Sequence, residues 1–587
     1  MNLAAASPGP RPRARAWIVG ALVLALDLFV LVHLHDRFWW PPDDGAYAHP
    51  AERMLHGEVL HRDVREAHPG PHFVNAAALA LFGDRLVSLR YPLVAAAAAQ
   101  ALLVFLLLLP AGELAAAAGA LATTAFGFVQ YLNPQPAWYC ALLTAAAAAV
   151  LRFWPPAKRR RSEVLGLLAG LAVLMRQLSG AVLVAALVTW LLLEPAEGDE
   201  GRGSDPETGR PLLARAAAAA VLLALALYLL RSTDLLGFAL FGVWPLLLAA
   251  AVLRRTRLGS RAAAARLLRL AAGGAVAALP LLAYHALHGS LGALYHDTVE
   301  QALVIARLPY LARNSYGEAL AAALGLLAAH RSAGEVANGF YWLCLPLVSA
   351  ALGLLAARRL GAARRLDPRF DPLTHLAVFH GLVALLNQIP IYLYYSLTLT
   401  VPALLAAVER RRPRLALAAL VLALSGIALH DHAAQPLARG LAGTYAGVRM
   451  GVVPIGIPKL AIWTDPEDAA VFRALLARIE GETLPGEPIF AFPNDPEIYY
   501  LSGRRNPFAF FNTAVDVRRP ADAAAVVVRL DRLRPRLVIF VPDDKYRLAS
   551  VEPVVRFIRA RYRLAARIGR FEVYRLLPES PLPTAAR

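Results

Sequence analysis

The residues with chemistry to offer crowd into one stretch of the chain. Between positions 35 and 85 lie the acids Asp36, Asp43, Asp44, Glu52, Glu58, Asp63, Glu66 and Asp84, with Arg37, Arg53, Arg62, Arg65 and Arg85 among them. Carboxylates held where water is partly excluded are raised toward general-base use, and arginine suits phosphate because its planar fork donates two parallel hydrogen bonds. Five histidines, His49, His56, His61, His68 and His72, share the same stretch. Together with the acids they make a divalent cation a candidate ligand, His61 and His68 first, although their spacing matches no strong metal template.

Two short helices must hold these groups. Tyr47, Ala51, Met54 and Leu55 share one helical face, and Phe73, Val74, Ala77, Leu81 and Phe82 give a second helix its apolar side. Both are too short to cross a bilayer and suit helices lying in its surface. Asp44 directly precedes the first helix and is placed to cap it.

Everything around this loop reads as membrane. Of 587 residues 58% are hydrophobic and 17% charged, with a mean hydropathy of +0.49, which excludes a single soluble core, a disordered chain and a collagen-like repeat. The apolar residues fall in blocks at 17–34, 86–109, 112–131, 137–153, 163–176, 178–193, 212–230, 236–253, 267–287, 339–357, 372–388, 392–408 and 414–430. Most are close to the length needed to cross about 30 Å of hydrocarbon, 163–176 being the shortest, so about thirteen spans are expected. The first follows Arg11, Arg13 and Arg15 and has no small-residue cleavage site after it, so it is read as a retained helix. The net charge of +18 accompanies no nucleic-acid signature and lies mostly in short loops. Alternate loops carry Lys158–Arg161; Arg202, Arg210 and Arg215; Arg254 to Arg269; Arg358 to Arg369; and Arg410–Arg414. That alternation puts the N-terminus in the cytoplasm and, with an odd number of spans, the C-terminus outside. Cys140 and Cys344 both fall inside apolar blocks and form no metal or disulfide pattern. Asp27, in the middle of the first span, is expected to face other helices as a structural group. Tyr392, Tyr394 and Tyr395 are expected in an interfacial aromatic belt.

Beyond the last span the pattern changes. Ile489–Phe492, Leu537–Val541 and Phe571–Leu577 read as strands, and Asp468–Ile479 and Val551–Tyr562 have helical spacing. The chain therefore divides into a transmembrane domain at 1–430, with outer loops 35–85 and 288–338, and a small extracytoplasmic α/β domain at 431–587. Glu194–Arg215, rich in Gly, Glu and Arg, reads as a cytoplasmic linker.

The first loop resembles a known family. Pro42-Asp43-Asp44-Gly45-Ala46-Tyr47-Ala48, then Ala51 to Asp63, then His68-Pro69-Gly70-Pro71 look like the bacterial GT-C glycosyltransferases, nearest to protein mannosyltransferases and to the aminoarabinose transferase that modifies lipid A. Leu89-Arg90-Tyr91-Pro92, Met175-Arg176-Gln177 and Gly292 to Thr298 are further echoes, whereas Gly70 stands where relatives usually have a second proline. The resemblance implies a polytopic α-helical protein of GT-C architecture in the bacterial inner membrane. It implies an inverting transferase that moves a sugar from a polyprenyl-phosphate carrier to an acceptor hydroxyl of a lipid, glycan or protein. Asp43 would be the general base, with Asp44 beside it. Arg90 and Arg176, at outer ends of spans, would hold the donor phosphate, with Arg62 and Arg65 as further candidates. A lipid-linked donor accounts for the lack of a nucleotide-binding fingerprint.

Two other classes compete. A transporter or flippase of lipid-linked glycans would show several charges at mid-membrane, where this chain has little beyond Asp27. A non-catalytic envelope scaffold would have no use for Asp43. The loop charges also make the topology testable: a reporter fused at about residue 440 is expected to work only in a format that requires export, and activity of a cytoplasm-only reporter there would mean that the spans are miscounted.

Overall fold

In lipid each backbone N–H and C=O must be satisfied within its own segment, so apolar blocks of this length become helices. The computed structural model describes residues 14–156, 160–194, 210–305, 316–329, 333–362, 371–388, 391–434 and 451–578. Lys158, Arg202, Arg364, Arg365 and Arg369, most of the linker at 194–215, and position 440 lie outside the described residues. Each expected apolar block coincides with helix. Eight helices among the described residues are long and apolar enough to cross a membrane, including Ala14–Leu34, Leu86–Ala111, Pro136–Phe153 and Ser260–Leu287. Shorter apolar helices accompany them, such as Gln177–Leu193 and Tyr392–Ala407. The chain is a multi-pass helical membrane protein with a small C-terminal sheet. One apolar helix, Tyr316–Ala329, arises inside the expected second outer loop; its 14 residues rise about 21 Å, short of a full crossing.

The chain forms two compact units. The first comprises the described parts of Met1–His35, Pro92–Leu281 and Asn314–Arg449 and holds most of the apolar helices. Lipid supplies no hydrophobic drive between helices, so close backbone approach must do that work. The Arg161–Met175 and Ser260–Leu287 helices cross on glycine: a Cβ on Gly166 would lie 1.9 Å from the Leu270 carbonyl oxygen, and one on Gly273 would lie 1.9 Å from that of Glu163. Asp27 is buried in this unit beside Thr124. The tyrosines at 392, 394 and 395 depart from expectation. All three are buried in protein, with Tyr395 edge-on to Trp138 at 4.4 Å, so they are core residues and do not form an interfacial belt. Aromatic and apolar runs look alike in sequence whichever side they face.

The second unit comprises Asp36–Tyr91, Leu282–Arg313 and Met450–Arg587 in their described parts. It gathers the first outer loop, part of the second and the C-terminal tail. The expected strands appear as β3 (Phe490–Phe492), β4 (Leu537–Phe540) and β6 (Phe571–Leu576), after a small hairpin of β1 (Val453–Pro454) and β2 (Trp463–Thr464). The edge strand β5 (Tyr562–Ile568) and the helix Pro520–Leu533 were not anticipated, because their charged residues hide the alternation. The sheet runs β3-β4-β6-β5, with β3 and β4 parallel and the other pairs antiparallel. Side chains alternate between its faces. Phe490, Phe492, Val538 and Phe540 meet the Pro520–Leu533 and Glu552–Arg561 helices, while Ala491, Leu537 and Ile539 share a core with the Pro466–Glu482 helix and with Ala48, Ala51 and Leu89 of the first loop.

The glycine crossing sets a stability test. Gly273→Ala should lower the melting temperature by the equivalent of about 1–3 kcal/mol. Gly274→Ala, whose Cβ would meet nothing nearer than 3.6 Å, should stay within about 0.5 kcal/mol of wild type. Equal behaviour of the two variants in detergent melting curves would show that the crossing is not tight.

Candidate functional site

Pro41 and Pro42 open the first loop helix, Pro41–Leu55, because a ring-fixed φ suits a first turn whose N–H groups have no helical partner. The helix thus begins earlier than the apolar pattern indicates, and Asp43 and Asp44 sit inside its first turn. Asp43 is half-buried. Asp44 is fully buried, and its carboxylate accepts from the Trp40 backbone N–H at 3.0 Å and from Arg90 Nη2 at 2.8 Å. Asp44 is therefore not the residue before the helix, as its place ahead of the apolar pattern suggests: Trp40 is the N-cap, and Asp44 reaches back to its N–H from within the first turn while pairing with Arg90.

Arg90 opens the Arg90–Leu108 helix and is itself fully buried, donating also to the Phe38 carbonyl at 3.3 Å. Its Nε and Nη1 have no hydrogen-bond partner among the described residues. Burial lifts the Asp44 carboxyl to about 6, against the opposing pull of Arg90. Between about pH 4 and 6 the folded chain therefore binds this proton more tightly than the unfolded one, and that contribution to stability is lost as pH rises through the window.

The other sequence candidates divide. Arg62 is exposed and lies on Asp63 at 2.8 Å. Arg65 holds Asp516 at 2.7 Å, and burial raises that acid to about 6 in spite of the arginine. His68 caps the Pro69–Phe82 helix with extended backbone, and Gly70 follows within its first turn. Arg176 belongs to the helical unit. It stands between the helices Arg161–Met175 and Gln177–Leu193, donates to the Tyr392 hydroxyl at 3.1 Å and lies over that ring at 4.6 Å. Its Nη1 is buried without a hydrogen-bond partner among the described residues.

His61 has the left-handed φ of 68°, rare for a residue with a side chain. Its backbone N–H donates to Val64 at 2.7 Å, and its Nδ1 meets the buried Asp297 at 3.2 Å. Asp297 also receives the Glu66 backbone N–H at 3.2 Å and His296 Nδ1 at 2.9 Å. The His285 ring lies 5.1 Å from that of His61, and the Nε2 atoms of both are buried without a hydrogen-bond partner among the described residues. Among the described residues, however, no set of three or more His, Cys, Asp or Glu side chains converges to hold a metal ion. Asp297, His285 and Asp516 were not singled out from the sequence. The only signal was Asp297 in the Gly292–Thr298 echo, because the partners lie hundreds of residues apart.

Comparison with known proteins gives a family and two structures. Residues 66–200 match the family model described as dolichyl-phosphate-mannose-protein mannosyltransferase. No curated protein matches the sequence. Similar solved structures include ArnT from Cupriavidus metallidurans bound to undecaprenyl phosphate and the same protein in the apo state. Each is 15% identical with a TM-score of 0.38, covering 96% of this chain and 98% of that one.

The buried pair generates a direct test. Arg90→Met strands the Asp44 carboxylate and should cost about 3–5 kcal/mol of stability, whereas Arg90→Met with Asp44→Leu should recover most of it. Melting temperatures of the purified proteins decide; a double variant no better than the single one would mean that the two residues are not coupled.

The GT-C resemblance is supported by the family match over residues 66–200, a segment that begins after the Asp43–Asp44 turn and is similar to the dolichyl-phosphate-mannose-protein mannosyltransferases.

Proposed function

We propose that the chain is an integral membrane glycosyltransferase. It would move a sugar from a polyprenyl-phosphate carrier to an acceptor hydroxyl at the outer face of the bacterial inner membrane, the acceptor being a lipid, glycan or protein. In this reading the N-terminus is cytoplasmic, residues 1–430 form the catalytic transmembrane domain and 431–587 the extracytoplasmic one. The observation that carries the reading is the position of Asp43. It stands half-buried on the first turn of a loop helix, next to a carboxylate fixed by Arg90, in the loop that runs into the mannosyltransferase-like segment.

The chemistry follows from those positions. Asp43 takes the acceptor hydroxyl proton as the oxygen attacks the anomeric carbon. The bond from that carbon to the carrier phosphate breaks, its electron pair leaves on the phosphate oxygen, and the anomeric configuration inverts. Arginine stabilises the departing phosphate. Arg176 and Arg90 are separate candidates for this role because each keeps a buried N–H with no hydrogen-bond partner among the described residues, a costly arrangement that a phosphate would relieve. Arg62 and Arg65 are secondary, since both are exposed and their guanidinium groups face water as well as an acid. Asp44 keeps the catalytic turn in place through Arg90.

Mass spectrometry of envelope lipids and glycans, from cells with and without the gene, should show one sugar-modified species that depends on it. Asp43→Asn should lower that product by about 10²–10⁴-fold, the usual cost of a lost general base. Accumulation of the protein should be normal, as a polar exchange on a partly exposed turn costs at most about 0.5 kcal/mol. Near-normal product from the variant would move the base elsewhere.

A further inference from the structure

We infer that Lys459 is a positioning residue that sets the first loop around Asp43, an inference that rests on the transfer reaction proposed above. The segment 451–464 clasps both ends of the loop through backbone hydrogen bonds. Gly451 N–H donates to the Arg37 carbonyl and Trp463 N–H to that of Asp36 at 2.6 and 2.7 Å. At the other end Leu86 N–H donates to the Lys459 carbonyl and Val87 N–H to that of Leu460, at 2.8 and 3.3 Å. The first pair lies just before the turn of Asp43 and Asp44, the second just before Arg90.

Lys459 adds a side chain to this clasp. Its ammonium is ion-paired with Glu52, on the same helix as Asp43, and lies 3.2 Å from Asp84, in the turn that leads to Arg90. It also stands 4.4 Å over the Tyr500 ring, on the Pro496–Ser502 helix of the sheet domain. One cation therefore joins the helix of the proposed base, the approach to Arg90 and the outer domain. A second contact shows how little play that helix has. A Cβ on Gly45 would lie 2.2 Å from the Glu497 backbone nitrogen, so the turn after Asp44 is seated directly on the Pro496–Ser502 helix.

Losing Lys459 has two separable effects. Glu52 is largely buried, and burial already raises its pKa with Lys459 present. Without the lysine it becomes an unpaired buried acid, which destabilises the protein in a way unrelated to catalysis. The other effect is slack between the Asp43 helix and the 84–90 turn, and a displacement near 1 Å in a reacting group can cost about 10²-fold in rate.

Full-length protein and cells carrying each variant separate these effects. Lys459→Met should lower the sugar-modified envelope product by about 10²-fold, and Lys459→Arg should restore it to within about threefold, since a guanidinium reaches both acids. Lys459→Met with Glu52→Gln removes the stranded carboxylate, so its melting temperature should return to that of wild type while the product stays low. Hydrogen exchange at Leu86, Val87 and the 41–55 helix should be about 10-fold faster in that double variant. Recovery of product together with stability would overturn the inference, as would unchanged exchange. If wild type yields no product, the transfer reading falls alone, and exchange still decides whether Lys459 holds the loop.

Discussion

A single buried ion pair governs the geometry of the first loop. Asp44 and Arg90 are both fully buried and 2.8 Å apart, and they stand at opposite ends of the segment that carries the acids, arginines and histidines. Two desolvated charges are costly unless their geometry is good, so such a pair is a weak source of net stability and a strong constraint on register. The Trp40 N–H and the Phe38 carbonyl complete it. Each of those contacts fixes the first turn of the Pro41–Leu55 helix, and so fixes Asp43. Moving the helix by one residue would leave a carboxylate and a guanidinium unpaired in protein.

The rest of the second unit repeats this device with arginines that are less buried than Arg90. Arg53 donates to Glu58 at 2.7 Å, to the Asp63 carbonyl at 2.9 Å and to the Phe508 carbonyl at 3.1 Å, tying the loop to the sheet domain. Arg65 reaches Asp516. Arg570 serves both Asp495 and Glu497 at 3.2 Å, and burial raises the pKa of each acid of that pair. Most of these contacts join segments far apart in sequence. Sheet faces supply the apolar cohesion of this unit, while the ionic contacts choose which surfaces meet.

The two kinds of feature were unequally visible in the sequence. Helices such as Ala14–Leu34 and Pro136–Phe153 follow from apolar length alone, and β3, β4 and β6 from short buried runs between turn residues. Asp44 and Arg90 stood out singly, one beside a helix start and the other at the end of a span. Their pairing did not, because no local pattern records which acid an arginine will meet across 46 residues. Asp297 and Asp516 stayed hidden for the same reason. Lys459 was invisible: a lone lysine in an irregular strap has no periodicity to mark it. The tyrosines at 392, 394 and 395 show the opposite error, where a familiar pattern at a helix end suggested lipid contact and packing placed the rings inside protein.

Charge balance separates the arginines further. In the helical unit Arg161 is neutralised by Glu194, with two hydrogen bonds of 2.8 and 2.9 Å, and that acid is further held by the Trp190 indole N–H at 2.7 Å. The charge of Arg161 is thereby cancelled, although its Nε is also buried with no hydrogen-bond partner among the described residues. Arg90 is neutralised by Asp44 and keeps only spare N–H groups. Arg176 meets a tyrosine hydroxyl and ring in place of a carboxylate, and still has a buried Nη1 to offer. A buried guanidinium whose charge no acid cancels is stabilised most by an anion that arrives from outside, and a phosphate matches its fork. We therefore propose Arg176 as the first candidate for a phosphate ligand, whereas Arg90 already holds the turn of Asp43 through Asp44.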